Sequence, residues 1–157
     1  MQHNAVERLD RPIADAAGAI ARPYRAIDVL AAMERRGAIT PAMRAAGEEF
    51  RRLFKRAQFD PLHAADLQRN PGGANNHLGD RAYVARDKLW RAIIAVGGLA
   101  SAGGSCLWHV VGWERSLKEW ALEQGWAGRR VTQETASGVL IATLGALEAH
   151  LSGGQRV

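Results

Sequence analysis

Apolar residues recur along the chain every three or four positions, and no two-residue alternation persists anywhere. That pattern predicts an all-α fold. In "RPYRAIDVLAAMERRGAI", Tyr24, Ile27, Leu30 and Ala31 fall on one helical face, and Gly37 is the expected stop. Thr40-Pro41 restarts a helix, because threonine can cap and proline fits a first turn whose N–H would be unpaired anyway. Met43, Ala46, Phe50, Leu53, Phe54 and Ala57 then make an apolar stripe flanked by Arg44, Arg51, Arg52, Lys55 and Arg56. Asp60-Pro61 repeats the cap-then-proline device for a short turn ending near Leu67.

"QRNPGGANNHLGD" has the composition of a loop. It divides the chain into an N-terminal helical part, residues 22–69, a loop at 70–80, and a C-terminal helical part, 81–157. Residues 1–21 lack strong periodicity and are expected to be a flexible segment, at most partly helical. Beyond the loop, Asp80 is placed to cap a helix with Val84, Leu89, Ile93 and Val96 in its core. A further helix is expected from about Ser105 to Val111. Residues 92–113 carry no Asp, Glu, Lys or Arg and could span a bilayer by length. With "GGLASAGGS" at their centre, they read better as two buried helices joined by a tight glycine turn.

"LKEWALEQGWAGRRV" raises the question of function. Ser116 and Glu119 have the spacing of a capping box, Ala121 is small enough for a close crossing, and Gly125 suits a left-handed helix end. A second helix should begin between Gly128 and Thr132, with Leu140, Leu144, Leu147 and Leu151 as its core stripe. The pair, at about 116–150, is similar to the helix-turn-helix of bacterial regulators and of sigma-factor promoter-reading domains. Gln124 and Glu134 depart from that pattern, since it has apolar residues there. Read as a DNA reader, Arg129 and Arg130 would supply charge-assisted bonds to phosphate or guanine. Thr132 and Gln133 would supply shorter polar contacts, and Arg115 and Lys118 would hold the backbone. The plainer alternative is a packed hairpin whose cations are surface charges beside Glu114, Glu119 and Glu123.

Charge strengthens the polyanion reading only modestly. There are 21 basic against 16 acidic residues, a formal +5, and only Lys55, Lys88 and Lys118 among the cations are lysines. The second basic cluster, Arg51, Arg52, Lys55 and Arg56, is interleaved with Phe50, Phe54 and Phe59. Helical spacing turns the rings inward, leaving a basic face that could grip polymerase or nucleic acid. Enzymatic signals are poor, and no cofactor is expected. His3, His63, His77, His109 and His150 are scattered without metal-ligand spacing, and the glycine run lacks the Lys-Ser/Thr of a phosphate loop. Cys106, the single cysteine, sits in an apolar stretch with His109 and reads as packed rather than nucleophilic. The charged N-terminus lacks a signal-peptide core, so a cytoplasmic location without a membrane partner is expected.

Three blocks carry a resemblance: "YRAIDVLAAMERRGAITPAMRAAGEEFRRLFKRAQFDPLHAADL", "SCLWHVVGWERSLKEWALEQGW" and "SGVLIATLGALEAHL". Together they resemble an alphaproteobacterial and prophage family known as a domain of unknown function, over about Arg22 to Leu151. It includes regulators of gene transfer agents, namely the C-terminal part of the GafA-type activators and the GafZ-type proteins. The resemblance implies a sigma-like helical domain that binds RNA polymerase and DNA, promoting late, phage-like transcription, by antitermination in GafZ-type members. A promoter-binding activator, or an interaction module that reads no DNA, stays open beside it.

Overall fold

A computed structural model describes residues 6–8, 13–14, 20–21, 24–26, 28–57, 75–124 and 130–154. The body of the chain is all-α. It contains α1 (Val29–Arg35), α2 (Pro41–Arg56), α3 (Asn75–Ala95) and α4 (Ala102–Cys106), the last continuing as a π-helical stretch, Leu107–Gly112. Then come α5 (Leu117–Glu123) and α6 (Gln133–Gly153). Two short antiparallel ladders precede the helices. Val6–Arg8 pairs with Tyr24–Ala26, and Ile13–Ala14 with Ile20–Ala21.

The ladders correct the expected first helix. Tyr24 lies in a strand, and α1 starts only at Val29, where Asp28 in an extended conformation accepts from the N–H groups of Leu30 and Ala31. An aspartate cap ahead of an apolar run outweighs the periodicity that pointed further upstream. Ile27 and the Asp60-Pro61 turn lie outside the described residues. At the other end Gly37 takes φ +71°, a left-handed value that suits glycine, and stops α1 as expected. Thr40 caps α2 by accepting from Met43 N–H at 3.1 Å, with Pro41 in the first turn.

The core forms where α2 meets α3 and α6, with α1, the π stretch and α5 around them. Phe50 and Phe54 of α2, Leu30 and Met33 of α1, Leu89 and Ile93 of α3, and Leu140, Leu144 and Leu147 of α6 are all fully buried. Phe54 meets the edges of Trp108, at 4.9 Å between ring centroids, and Trp113, at 5.3 Å. Gly112 makes room for that ring, since a Cβ there would lie 2.7 Å from it.

α3 begins at Asn75, five residues ahead of the expected Asp80 cap and inside the stretch expected as loop. Once a helix is anchored by packing, each further residue adds a hydrogen bond, and one interior glycine such as Gly79 costs only about 1 kcal/mol. Its buried face is Ala82, Ala85, Leu89, Ala92 and Ile93, and Val84 is 51% exposed rather than core. The alanines supply the close contact that a larger residue was expected to make. The glycine turn expected after α3 is there, with Gly97 at φ +102° and Gly98 at φ +84°. But α3 is buried on one face only, Ile94 being 71% exposed, so the expectation of two buried helices is corrected on that side. No helix among the described residues is long and apolar enough to cross a membrane. α4 starts three residues before the expected Ser105, because Ser101 caps it through Gly104 N–H at 2.9 Å.

Candidate nucleic-acid and partner interface

The entry to the α5–α6 pair is fixed locally. Ser116 Oγ accepts from Glu119 N–H at 3.2 Å, and the Glu119 carboxylate accepts from Ser116 N–H at 3.1 Å, the reciprocal capping box that the sequence spells. Ala121 is buried and α5 packs on α6. Nine residues, 124–132, connect the two helices, against the three or four of a tight helix-turn-helix. Gly125, Trp126 and Arg129 lie outside the described residues. Thr132, expected as a nucleic-acid contact, caps α6 instead, its hydroxyl accepting from Thr135 N–H at 3.2 Å. The helix therefore opens at Gln133, just past the expected window of Gly128 to Thr132.

These geometries sort the expected contact residues. Arg130, Lys118 and Gln133 are exposed, and Gln133 opens the first turn of α6. Thr132 is exposed, but its hydroxyl is used by the cap. Glu134 stands beside them. A bond to its own backbone N–H, then one from the Thr132 side chain, hold its carboxyl below the usual range. Arg115 is engaged within the molecule. Its Nη1 donates to Glu123 Oε2 at 2.8 Å and its Nη2 to the other carboxylate oxygen. That pairing raises the Arg115 guanidinium and lowers the Glu123 carboxyl. Nearby His109 is held below its usual value, first by burial and then by the charge of Arg115, which together outweigh Glu123.

The basic face of α2 is mostly paired. Arg51, only 18% exposed, donates to Asp28 at 3.2 Å. Its Nε is buried 3.4 Å from Glu114 Oε1 without hydrogen-bond geometry. Lys55 reaches the same Glu114 oxygen at 3.4 Å, and Arg52 pairs with Glu49. Arg56 is exposed at the end of α2, with no ion pair among the described residues. Burial raises the Asp28 carboxyl, but the hydrogen bond and charge of Arg51, with the N–H groups of Ala31 and Leu30, more than offset it and leave it lowered.

Glu114 holds these cations from a left-handed backbone, φ +55°, just past the π stretch. It and Asp28 are what the sequence reading missed. Asp28 was legible as a cap before an apolar run, whereas Glu114 is joined to Arg51 and Lys55 only by folding. Burial pushes the Cys106 thiol up to about 12, so it stays protonated near neutrality. No group of His, Cys, Asp or Glu among the described residues is arranged to hold a metal. Compared with protein-family models, with curated proteins and with solved structures, the chain matches none.

Proposed function

We propose that this chain is a small helical regulator of transcription that engages DNA and RNA polymerase and promotes phage-like late transcription by antitermination. The observation that carries the reading is the entry to α6. There a capped helix 21 residues long opens with exposed Gln133, exposed Arg130 lies three residues ahead of it, and the neighbouring short helix carries exposed Lys118. An arginine just ahead of a helix and a glutamine in its first turn are suited to phosphate and base-edge contacts. The family resemblance and the +5 charge support the same reading. In this proposal Arg129 and Arg130 bind the nucleic acid, Thr132 orders the helix start, and Arg56 makes a second contact to polymerase. The resulting α5–α6 reader is a helix-turn-helix with an extended turn.

A second reading is an interaction module that clamps polymerase without reading DNA. The pairing of Arg51, Arg52, Lys55 and Arg115 with carboxylates of the chain itself leaves fewer cations free for a polyanion, and it equally ties up the α2 face expected to grip polymerase. A promoter-binding activator is the third. One experiment separates them: mobility shift on duplex DNA and co-purification with polymerase, for wild type and for Lys118→Glu with Arg130→Glu. The proposal expects both interactions in wild type and loss of the DNA shift in the variant. Polymerase binding without any DNA shift supports the clamp. A sequence-dependent shift without polymerase binding supports the activator.

A further inference from the structure

Each acid between Glu114 and Gln124 has its own partner. Glu114 takes Arg51 and Lys55, Glu119 closes the capping box, and Glu123 holds Arg115. The last pair is a guanidinium fork on a carboxylate. Arg115 Nη1 donates to Glu123 Oε2 at 2.8 Å, and Nη2 donates to Oε1. The pair lies open to solvent, with the Arg115 side chain 33% and the Glu123 side chain 50% exposed. Helix α5 itself favours neither charge at its place in the chain. Arg115 precedes the first turn, the positive end of the helix dipole, and Glu123 is the last residue, at the negative end.

A guanidinium fork fits a carboxylate and a phosphate in the same two-pronged way. The Glu123 carboxylate therefore occupies the place a phosphate would take. We propose that Glu123 masks Arg115 as a phosphate contact, and that a backbone phosphate of duplex DNA displaces it. The mask rests on the reading of α5 and α6 as a DNA-binding pair, and adds to that reading a contact and its control. The Arg115 backbone is anchored, its N–H donating to the His109 carbonyl at 3.1 Å, so exchange needs only side chains to move. Half-buried His109 brings no rival cation near neutrality, since burial first and then Arg115 hold it below its usual value. Exposed pairs of this kind are weak, so opening one costs no more than about fivefold in affinity. A duplex already held by exposed Lys118 and Arg130 offsets that cost through effective concentration, whereas an isolated anion does not. The mask thus lowers binding to polyanions that fail to engage the rest of the surface.

The test is a double-mutant cycle on the full chain, with a labelled mixed-sequence DNA duplex read by fluorescence anisotropy across a salt series. Glu123→Gln should tighten binding about fivefold and steepen the salt dependence by about one unit of slope, the signature of one added phosphate contact. In an Arg115→Gln background the same change should gain less than about twofold and leave the slope unchanged, since no fork remains to be freed. Circular dichroism checks that wild type and the three variants are folded. A gain of equal size with and without Arg115 reduces Glu123 to overall charge and overturns the proposal. So does a Glu123→Gln protein with wild-type affinity and slope, which leaves the pair a strap along α5 and the DNA reading intact. No binding by wild type or any variant at low salt overturns the DNA reading itself, and the mask with it.

Discussion

Replacing Gly104 by alanine should destabilise the protein by about 2 kcal/mol, with strain carrying it toward 3. A Cβ at this position would stand 2.0 Å from the Gly98 carbonyl oxygen and 2.7 Å from its carbon, so the start of α4 and the glycine turn must part by about 1 Å. The turn cannot yield cheaply. Gly98 holds φ +84°, and its oxygen accepts from Ser101 N–H at 3.1 Å and Ser101 Oγ at 2.7 Å. Ser101 Oγ in turn caps α4 at Gly104 N–H. Losing the two bonds to Gly98 costs about 1 kcal/mol each, and losing the cap about 1 more. The better helix propensity of alanine returns about 1 kcal/mol.

For a chain of this size that loss lowers the melting midpoint by about 5–10 °C. Gly138→Ala is the control, because nothing lies within 4 Å of its would-be Cβ in α6, and it should gain about 0.5–1 kcal/mol. Thermal and urea unfolding of both variants decide the matter. A Gly104→Ala protein that melts at or above wild type refutes the close approach of α4 to the turn.

Ser116→Ala should cost about 1 kcal/mol by dismantling the capping box, measured by urea unfolding, and Ser116→Asp should restore most of it. Asp28→Asn probes pH. The Asp28 carboxyl is lowered by folding, so its contribution is present above the unfolded value of about 4 and is lost as pH falls through the folded one. The stability gap between wild type and variant should therefore be open at neutral pH and closed in strong acid; a gap that persists there refutes the pairing with Arg51. Cys106, buried with its thiol near 12, should react with N-ethylmaleimide only as fast as the fold opens, and faster in urea. Labelling of the native protein at the rate of a free thiol would contradict that burial.

What the sequence conveyed well is short in range. Thr40-Pro41, Gly37, and Ser116 with Glu119 each act on their own or the next turn of backbone, and each sits where its local chemistry puts it. What it conveyed poorly depends on partners distant in the chain. The face of α3 was misphased at Val84 because alanines, weak signals in a hydrophobicity pattern, make its contact with the core. The ladder partners of Tyr24–Ala26 lie some 18 residues upstream, beyond the reach of periodicity. The basic α2 face read as free charge because Glu114 meets Arg51 only across 63 residues of chain. In the candidate interface, Arg130, Lys118 and Gln133 are exposed as a reader needs, but Arg115 spends its fork on Glu123, a neighbour eight positions on.

The place of α6 at the heart of the core bears on how the protein is made. α2 seats Gly47 against Leu30 of α1 on one side and Leu144 of α6 on the other, and Leu140, Leu144 and Leu147 are wholly buried. On a ribosome, α1 and α2 emerge long before those leucines exist. About 90 residues separate Arg56 from Leu147, which at ~5–20 residues per second is roughly 5–20 s of synthesis. A helical hairpin forms in milliseconds or less, so the nascent chain holds the faces of Phe50 and Leu53 without their final cover for thousands of times longer than the hairpin takes to form. The pace of translation, rather than the pace of folding, thus decides how long these apolar faces stay uncovered.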